Sequence, residues 1–486
     1  MPALARFVQG RRRDGAPLTS SQQVVTRNFL ALGSGEVFAR VLAFGATVIL
    51  AHRLGAAGFG SLAIATALVL YLSKIADAGI DLGLGIREIA HARDRLGEIV
   101  PTILTLRLLL AFGLIIVFGV GALLLLPSPD GLVIALYTLT LLCAAASTRW
   151  VHVGLERTGL VGLARCAGEA LMLLGVLLWV HDIADIARAP LAQFAGDAFA
   201  ALVLALALRR FGILHLAWRP EVLRPLLRRA VPYVGSTLLG LVIYNADLIF
   251  LRVLRDAVTV GYYAAAYAPI SFLGNVAVAY SMSLLPTLTR LRTDPAAERA
   301  LYHTSSAHVM AVALPLAVGG VFVAPQIIAL IFSPEFGPAG PVLAILVCSV
   351  PISAVRDMSV VALLSLGRED LLFRILAASA AMSVLLYLAL IPPFGMIGAA
   401  AATAGTEVFR MVLSMWYARS LGFPVPPIGR AWRPSVAAAV MAAALLAAGL
   451  DSVWAAVPLG GAVYLIALAL VGGLRFRRGE LPGLSV

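Results

Sequence analysis

The chain alternates between long hydrophobic runs and short polar segments along almost its whole length. A transmembrane α-helix needs about 20 mostly apolar residues to cross the hydrocarbon core of a bilayer. By this criterion the pattern predicts fourteen spans, with twelve as the alternative count. Their limits, in order, are 27–52, 58–80, 98–126, 131–152, 160–181, 189–209, 230–253, 259–288, 303–332, 338–366, 370–392, 395–418, 432–450 and 453–474. The sequence therefore predicts an all-α, polytopic membrane protein.

The positions of the basic residues test this count independently, because Lys and Arg are enriched in cytoplasmic loops. With the N-terminus in the cytoplasm, 28 of the 37 basic residues fall in cytoplasmic segments or at the cytoplasmic ends of spans, and five of the others lie deeper inside spans. The remaining four, on the opposite side, are Arg53, Arg188, Arg252 and Arg255. If a span had been missed or added in error, the basic residues beyond that point would be assigned to the opposite side and the asymmetry would be lost. Both termini are therefore predicted to lie in the cytoplasm.

The longest polar interruption follows span six and separates two sets of six spans with the same orientation. Such halves are typical of parallel repeats related by an axis along the membrane normal. The predicted organisation is a cytoplasmic tail (1–26), an N-terminal half (27–212), a linker (213–229), a C-terminal half (230–420), a terminal helix pair (430–475) and a cytoplasmic tail (476–486).

Composition agrees with this class and narrows the function. The chain is 61% hydrophobic and only 13% charged, so its net charge of +12 reports membrane topology and not a nucleic-acid partner. The three cysteines have no paired spacing, and the seven histidines are scattered, which indicates neither a disulfide framework nor a metal site. The sequence contains no phosphate-binding loop, nucleophile elbow or zinc-protease motif. We therefore expect no catalytic residue and no cofactor.

The stretch covering spans one and two carries an ordered set of charged and glycine residues. Arg27 and Asn28 open it, Ala51-His52-Arg53-Leu54-Gly55 leads to Phe59-Gly60, and Asp77-Ala78-Gly79 precedes Arg87-Glu88-Ile89-Ala90. This arrangement resembles the N-terminal signature of the bacterial polysaccharide flippases, which belong to the multidrug/oligosaccharidyl-lipid/polysaccharide exporter superfamily. Further segments similar to this family are 260–267, 285–291, 324–343 and 395–400.

The resemblance implies a flippase of the bacterial inner membrane. Its substrate would be a polyprenyl-diphosphate-linked oligosaccharide repeat unit, moved from the cytoplasmic to the periplasmic leaflet for exopolysaccharide, O-antigen or capsule synthesis. Alternating access would be coupled to a proton or sodium gradient. The implied partners are the lipid bilayer, a polysaccharide polymerase and a co-polymerase.

Charged residues inside membrane spans are costly and are candidates for function by default. Four arginines lie deep in spans, and guanidinium pairs bidentately with phosphate, so we expect them to bind the lipid diphosphate. They are Arg40, Arg107, Arg356 and Arg410. The alternative is a structural role in buried ion pairs.

Three acidic residues in spans are candidates for ion coupling: Asp247, Glu36 and Glu407. Glu36 precedes Arg40 by four residues, the favourable order for a helical ion pair, and an interhelical hydrogen bond is the structural alternative for Asp247. A second charged group lies near the inner end of span two and is interpreted as a cytoplasmic gate or, alternatively, as surface ion pairs. Its members are Lys74, Asp77, Asp81 and Arg87. Glu169 and Asp197 are expected to be helix-packing residues.

Other functions stay open at this point. Within the superfamily the alternatives are a lipid II flippase and a multidrug antiporter, although a cationic drug would favour acidic spans over the arginines found here. A non-transporting scaffold for glycan assembly is a further alternative. A glycosyltransferase or polymerase with a large external loop is disfavoured, because every predicted external loop is short.

Overall fold

A computed structural model describes residues 18–81, 85–91, 95–423, 432–450, 452–475 and 483–484. For residues 18–34 and a few later positions, among them Arg87, only the backbone is described. The chain divides into two compact units, Met1–Leu238 and Leu239–Val486.

The first unit contains the helices of spans one to six and the beginning of span seven. Their bounds are Leu18–Asp77 (spans one and two), Gly85–His91, Leu96–Leu114 with its extension to Leu125 (span three), Asp130–Thr138, Thr140–Ala146 and Arg149–Gly154 (span four), Thr158–Trp179 (span five), Arg188–Leu208 (span six) and Pro220–Leu254 (span seven). A π-helical segment, Ile115–Val120, lies within span three. Short 3-10 turns occur at Ile183–Asp185 and Arg209–Phe211.

The second unit contains the remaining spans. Their bounds are Ala257–Arg290 (span eight), Pro295–Ile331 (span nine), Ala339–Val347 and Ser349–Ser365 (span ten), Glu369–Ser420 (spans eleven and twelve), Trp432–Ala448 (span thirteen) and Val453–Leu470 (span fourteen). Two 3-10 turns, Leu291–Thr293 and Pro334–Phe336, connect helices. The described strands are Leu474–Arg475 and Gly483–Leu484, which pair antiparallel.

The all-α membrane architecture predicted from the sequence is confirmed. Ten of the described helices are long and apolar enough to cross a membrane, and Trp432–Ala448 is a shorter apolar helix. Two of the ten contain two predicted spans each, separated by a glycine with positive φ: Gly55 (φ 65°) and Gly395 (φ 56°). Positive φ is unfavourable for residues with a Cβ, so glycine permits the chain to reverse at these two positions.

Spans one, five and six of the first unit pack through glycine. A Cβ atom added to Gly35 would lie 2.7 Å from the Cα of Gly162, and one added to Gly168 would lie 2.7 Å from the carbonyl oxygen of Gly196. Small residues allow membrane helices to approach closely where lipid is as apolar as leucine. The backbone of span five therefore lies against both neighbours.

Two arginines predicted on the external side make the same contact in the two units. Arg53 ends span one, and its Nη1 lies 3.0 Å from the carbonyl oxygens of Val176 and Leu177, near the C-terminal end of span five. Arg255 ends span seven, and its Nη2 lies 3.3 Å from Ile391 O near the C-terminal end of span eleven. The last carbonyls of a helix lack intrahelical donors, and a cation there also complements the helix dipole. The repeated contact fits the predicted relation between the two halves.

A third arginine predicted on the external side has a similar role. Arg188 donates from Nη1 to the carbonyl oxygen of Trp179 at 3.0 Å and forms an ion pair with Asp185 at 2.7 Å. The backbone N–H of His181 also binds Asp185, and this hydrogen bond, with the charge of Arg188, lowers the pKa of the Asp185 carboxyl. Three of the four arginines that depart from the positive-inside pattern thus cap helix ends.

Candidate functional site

The second unit contains a buried network of four charged side chains on spans ten and twelve. Arg356 donates through Nε and Nη2 to Asp357 Oδ1, at 3.0 and 2.8 Å, and through Nη1 to Glu407 Oε2. Glu407 Oε1 accepts from Arg410 Nη1 at 2.9 Å. All four residues are buried. The spacing of three residues between Glu407 and Arg410 places them on one face of span twelve.

This network is electrically balanced, with two cations and two anions. Glu407 is the shared member, because its two oxygens bind different guanidinium groups. Taking a charge out of water is expensive unless it is paired and hydrogen bonded, so each member depends on the others. Loss of one member would leave a net charge in the unit's interior.

Tyr244 of span seven extends the network and brings it to the edge of the buried region. Its hydroxyl accepts from Arg410 Nη1 at 2.8 Å, and the Arg410 guanidinium carbon lies 5.1 Å from the centre of the Tyr244 ring. Arg410 Nε has no hydrogen-bond partner among the described residues, although the side chain is buried. Arg410 therefore keeps one donor available to an additional acceptor.

Asp247 belongs to a second polar group, which consists of its carboxylate and the hydroxyl groups of Tyr263 and Thr403. Its Oδ2 accepts from the Tyr263 hydroxyl at 2.6 Å, and that hydroxyl lies 3.2 Å from Thr403 Oγ1. Asp247 is fully buried, and within the described part of the chain no basic side chain forms an ion pair with it. Burial disfavours the charged form of a carboxyl group that has no cationic partner, so binding of a proton or a metal ion is favoured there.

The two polar groups of the second unit share spans seven and twelve. Tyr244 and Asp247 are three residues apart on span seven, and Thr403 and Glu407 are four apart on span twelve. Residues at these spacings lie one above the other on a helix face. The carboxylate group and the arginine network therefore form one continuous polar line about two helical turns long.

In the first unit, Arg107 and Asp77 form a buried ion pair. Arg107 Nη2 lies 3.2 Å from Asp77 Oδ1, which joins span three to the end of span two. Arg107 also donates to the carbonyl oxygens of Ala144 at 2.7 Å and Ser147 at 3.2 Å. Span four is broken at Ser147, whose backbone is extended (φ −62°, ψ 127°). A guanidinium group thus satisfies carbonyls that a broken helix leaves open inside the membrane.

The predicted gate residues are only partly brought together. Asp77 accepts from the backbone N–H of Asp81 at 3.1 Å, where the helix ends with positive φ at Ala78 and Gly79. Its ion-pair partner is Arg107 of span three, one of the four predicted substrate-binding arginines. Lys74 is half-buried one turn earlier, and the side chain of Arg87 lies outside the described residues. A gating role for this group stays a prediction.

Glu36 and Arg40 are close but loosely paired. Arg40 Nη2 lies 3.7 Å from Glu36 Oε1, and the side chains are 46% and 40% exposed. An exposed helical pair of this kind contributes only about 0.3–0.5 kcal/mol, so Arg40 is free to exchange partners. Among the four predicted substrate arginines, Arg40 is the most exposed, whereas Arg107, Arg356 and Arg410 are buried in networks.

A further charged group in the first unit was not predicted as a site. Arg165, near the start of predicted span five, lies 2.6 Å from Glu169 Oε1 and 3.8 Å from Asp197 Oδ1. Gln193 Nε2 also donates to Asp197 at 3.1 Å. The spacing of four residues between Arg165 and Glu169 was the available signal. The ion pair between Arg165 and Asp197 joins span five to span six, and the spacing of residues along the chain does not predict this contact.

Two family models match more than half of the chain each. One, described as Polysaccharide biosynthesis protein, matches residues 25–292, and the other, described as Lipid II flippase MurJ, matches residues 165–464. A comparison with curated proteins gives no match.

Several solved structures share the fold at low sequence identity. The lipid II flippase MurJ in an inward closed conformation has a TM-score of 0.77 at 13% identity, covering 90% of this chain and 98% of that chain. An inward-facing multidrug resistance MATE family transporter has a TM-score of 0.60 at 15% identity, covering 79% and 94%. A transporter of the MOP superfamily from Pyrococcus furiosus has a TM-score of 0.54 at 14% identity, covering 86% and 97%. The predicted all-helical transporter fold and the family resemblance are confirmed.

Proposed function

Because the matching models show that the chain belongs to the flippases of the multidrug/oligosaccharidyl-lipid/polysaccharide exporter superfamily, we propose that it moves polyprenyl-diphosphate-linked oligosaccharide repeat units. The units pass from the cytoplasmic to the periplasmic leaflet of the bacterial inner membrane, where a polymerase and co-polymerase use them for exopolysaccharide, O-antigen or capsule. Both termini of the protein lie in the cytoplasm. Transport occurs by alternating access and is coupled to an ion gradient.

The observation that carries this proposal is the arginine content of the buried polar line in the second unit. Arg356 and Arg410 keep their charge in a low-dielectric site, and guanidinium binds phosphate oxygens with two parallel hydrogen bonds. In the structure both are held by carboxylates, and Arg410 has one further donor available. A lipid diphosphate competes with Glu407 and Asp357 for these donors, so binding and rearrangement of the network are linked.

Arg40 is the proposed first contact for the diphosphate in the N-terminal unit. Its pairing with Glu36 is long and exposed, so an arriving anion displaces the carboxylate at little cost. Arg107 contributes in a different way, because it already binds Asp77 and two backbone carbonyls. Its proposed role in substrate binding requires that Asp77 be released, which connects it to the gate at the inner end of span two.

Asp247 is the proposed coupling residue, with Glu407 and Glu36 as secondary candidates. A proton neutralises the buried carboxylate directly, whereas sodium would use the carboxylate, the Tyr263 hydroxyl and the Thr403 hydroxyl as oxygen ligands. Either ion changes the charge of the polar line by one unit next to the arginines. Occupancy of Asp247 thereby biases the protein toward one transport state, provided that the two states bind the ion with different affinity.

Lipid II is the second candidate substrate, since the family model described as Lipid II flippase MurJ matches residues 165–464. It presents the same polyprenyl diphosphate chemistry, so the arginines alone do not separate the two. A cationic drug would require an unpaired acidic site away from arginine. Asp247 meets the first part of that requirement, but it lies one turn from the arginine network.

The experiment is deletion of the gene followed by mass spectrometry of extracted lipids, with leaflet assignment by a membrane-impermeant label. Accumulation of a complete repeat unit on the cytoplasmic side supports the proposal and identifies the glycan. Accumulation of lipid II supports the second candidate. Unchanged glycolipids together with greater retention of cationic dyes would refute both. Complementation with Arg410→Gln, with Arg419→Gln as the matched exposed control, then tests the role of the buried network.

A further inference from the structure

The segment between spans six and seven is held tightly against span three of the first unit. The backbone N–H of Ala217 donates to Thr105 Oγ1 at 3.0 Å, and Arg219 forms an ion pair with Glu98 at 2.9 Å. Ile213 is buried in the same core as the first turns of span three. The position of this segment along span three is therefore defined by contacts at both ends.

The length of span three gives the depth of this segment in the membrane. The helix Leu96–Leu125 has 30 residues, which is about 45 Å at a rise of about 1.5 Å per residue. It exceeds the roughly 30 Å hydrocarbon core by about 15 Å. The charged residues of this helix, Glu98 and Arg107, both lie within its first 12 residues, so the excess length belongs at that end. Thr105, and Ala217 with it, consequently lies near the boundary between hydrocarbon and headgroups.

Two large apolar side chains of the segment point away from the protein at this boundary. Leu216 is 67% exposed and Trp218 is 54% exposed, although the residues between and around them are anchored. Tryptophan is enriched at the membrane interface, where its ring contacts acyl chains and its N–H contacts polar groups. Their exposure is consistent with contact with lipid at the level of the headgroups.

The beginning of the next helix adds positive charge beside this apolar contact. Leu223 and Leu226 face the core and are buried, whereas Arg224 and Arg228, four residues apart, share the exposed face. Arg229 pairs with Glu88 at 3.1 Å. Among the described residues, Arg224 and Arg228 have no acidic partner. Residues 212–229 contain four arginines and one glutamate, a net charge of +3.

We propose that residues 212–229 form a binding surface for acidic phospholipids. Leu216 and Trp218 contact the upper acyl chains, and Arg224 and Arg228 bind the headgroup phosphates. Clustered basic residues beside a membrane span are attracted to anionic lipid, and each contributes about 1 kcal/mol, or roughly fivefold in affinity. The surface anchors the segment between spans six and seven at the membrane interface, independently of which substrate the protein carries.

Tryptophan quenching by brominated lipid tests this surface on the full-length protein in nanodiscs. The contribution of Trp218 is the difference in emission between the wild type and Trp218→Phe. We expect brominated phosphatidylglycerol to quench this contribution at a mole fraction about 25-fold lower than brominated phosphatidylcholine, from two factors of roughly five. In Arg224→Gln/Arg228→Gln the two lipids should quench equally. The matched control, Arg374→Gln/Arg419→Gln, removes two exposed arginines from other helices and should retain the preference.

Three results would overturn the proposal. Equal quenching by the two lipids in the wild type would exclude selectivity for acidic lipid. Absence of quenching of Trp218 by either lipid would place this residue away from the bilayer. A preference that persists in Arg224→Gln/Arg228→Gln would show that these arginines are not the basis of the selectivity.

Discussion

Glu407 provides the sharpest test of the buried network, because each of its oxygens binds a different arginine. In Glu407→Gln the side chain keeps its shape but loses its charge, and an amide NH₂ replaces one acceptor. The buried group of Arg356, Asp357 and Arg410 then has a net charge of +1. Removing one partner of a buried ion pair costs about 3–5 kcal/mol. At about 2–4 °C per kcal/mol for a unit of this size, we expect the Tm to fall by about 6–20 °C.

A double variant separates charge balance from loss of contacts. In Glu407→Gln/Arg410→Gln the remaining pair, Arg356 and Asp357, is neutral again and keeps its hydrogen bonds at 3.0 and 2.8 Å. We therefore expect the double variant to recover at least about half of the lost Tm. The assay is thermal unfolding of the purified protein in detergent, followed by tryptophan fluorescence. The reasoning is refuted if Glu407→Gln unfolds within about 2 °C of the wild type, or if the double variant is the less stable of the two.

The same pair of variants distinguishes structure from function in vivo. If Arg410 binds the diphosphate, the double variant should insert and fold but fail to complement the deletion strain. Full complementation by the double variant would mean that the network serves stability alone. Protein level in the membrane fraction is the control for both variants.

Three further predictions address the other polar groups. Asp247→Asn should change the Tm by less than about 2 °C, since the Tyr263 hydroxyl can donate to an amide oxygen. Transport in proteoliposomes should nevertheless stop responding to an imposed proton or sodium gradient. An unchanged response would exclude Asp247 from coupling. Arg107→Gln leaves Asp77 buried without its cation and should lower the Tm as much as Glu407→Gln does. The double variant Asp77→Asn/Arg107→Gln should recover stability, and its failure to do so would contradict the ion-pair explanation. Arg53→Gln and Arg255→Gln each remove a charged hydrogen bond to helix-end carbonyls, worth about 1.5–3 kcal/mol. Chemical denaturation should therefore show similar decreases in the free energy of unfolding for the two variants. A decrease in only one of them would contradict the equivalence of the two contacts.

The spans themselves were predictable because hydrophobic length is a local property of the sequence. A run of about 20 apolar residues requires a helix in lipid, since every backbone polar group must find a partner within the segment. The break at Gly55 falls between predicted spans one and two, and the break at Gly395 coincides with the predicted start of span twelve. The same local reasoning identified the four arginines within spans, since a charge inside an apolar run is costly whatever the orientation of its side chain. They are Arg40, Arg107, Arg356 and Arg410.

The partners of those charges depended on the tertiary structure. Arg107 is joined to Asp77 and to the broken backbone of span four, about 30 and 40 residues away, and no spacing rule connects these positions. Tyr263 and Thr403 beside Asp247 are common residues in membrane helices, so the sequence offered no reason to select them.

The sequence by itself thus determined where the chain crosses the membrane, on which side its loops are expected, and which residues place charge in lipid. These follow from transfer free energies that each segment carries alone. Only the tertiary structure decided which charges neutralise one another and that Arg53 and Arg255 make the same contact. It also placed Asp247 beside two hydroxyl groups and, within the described residues, in no ion pair. Such pairings arise where helices distant in sequence pack together, and packing depends on the shape of whole helix faces.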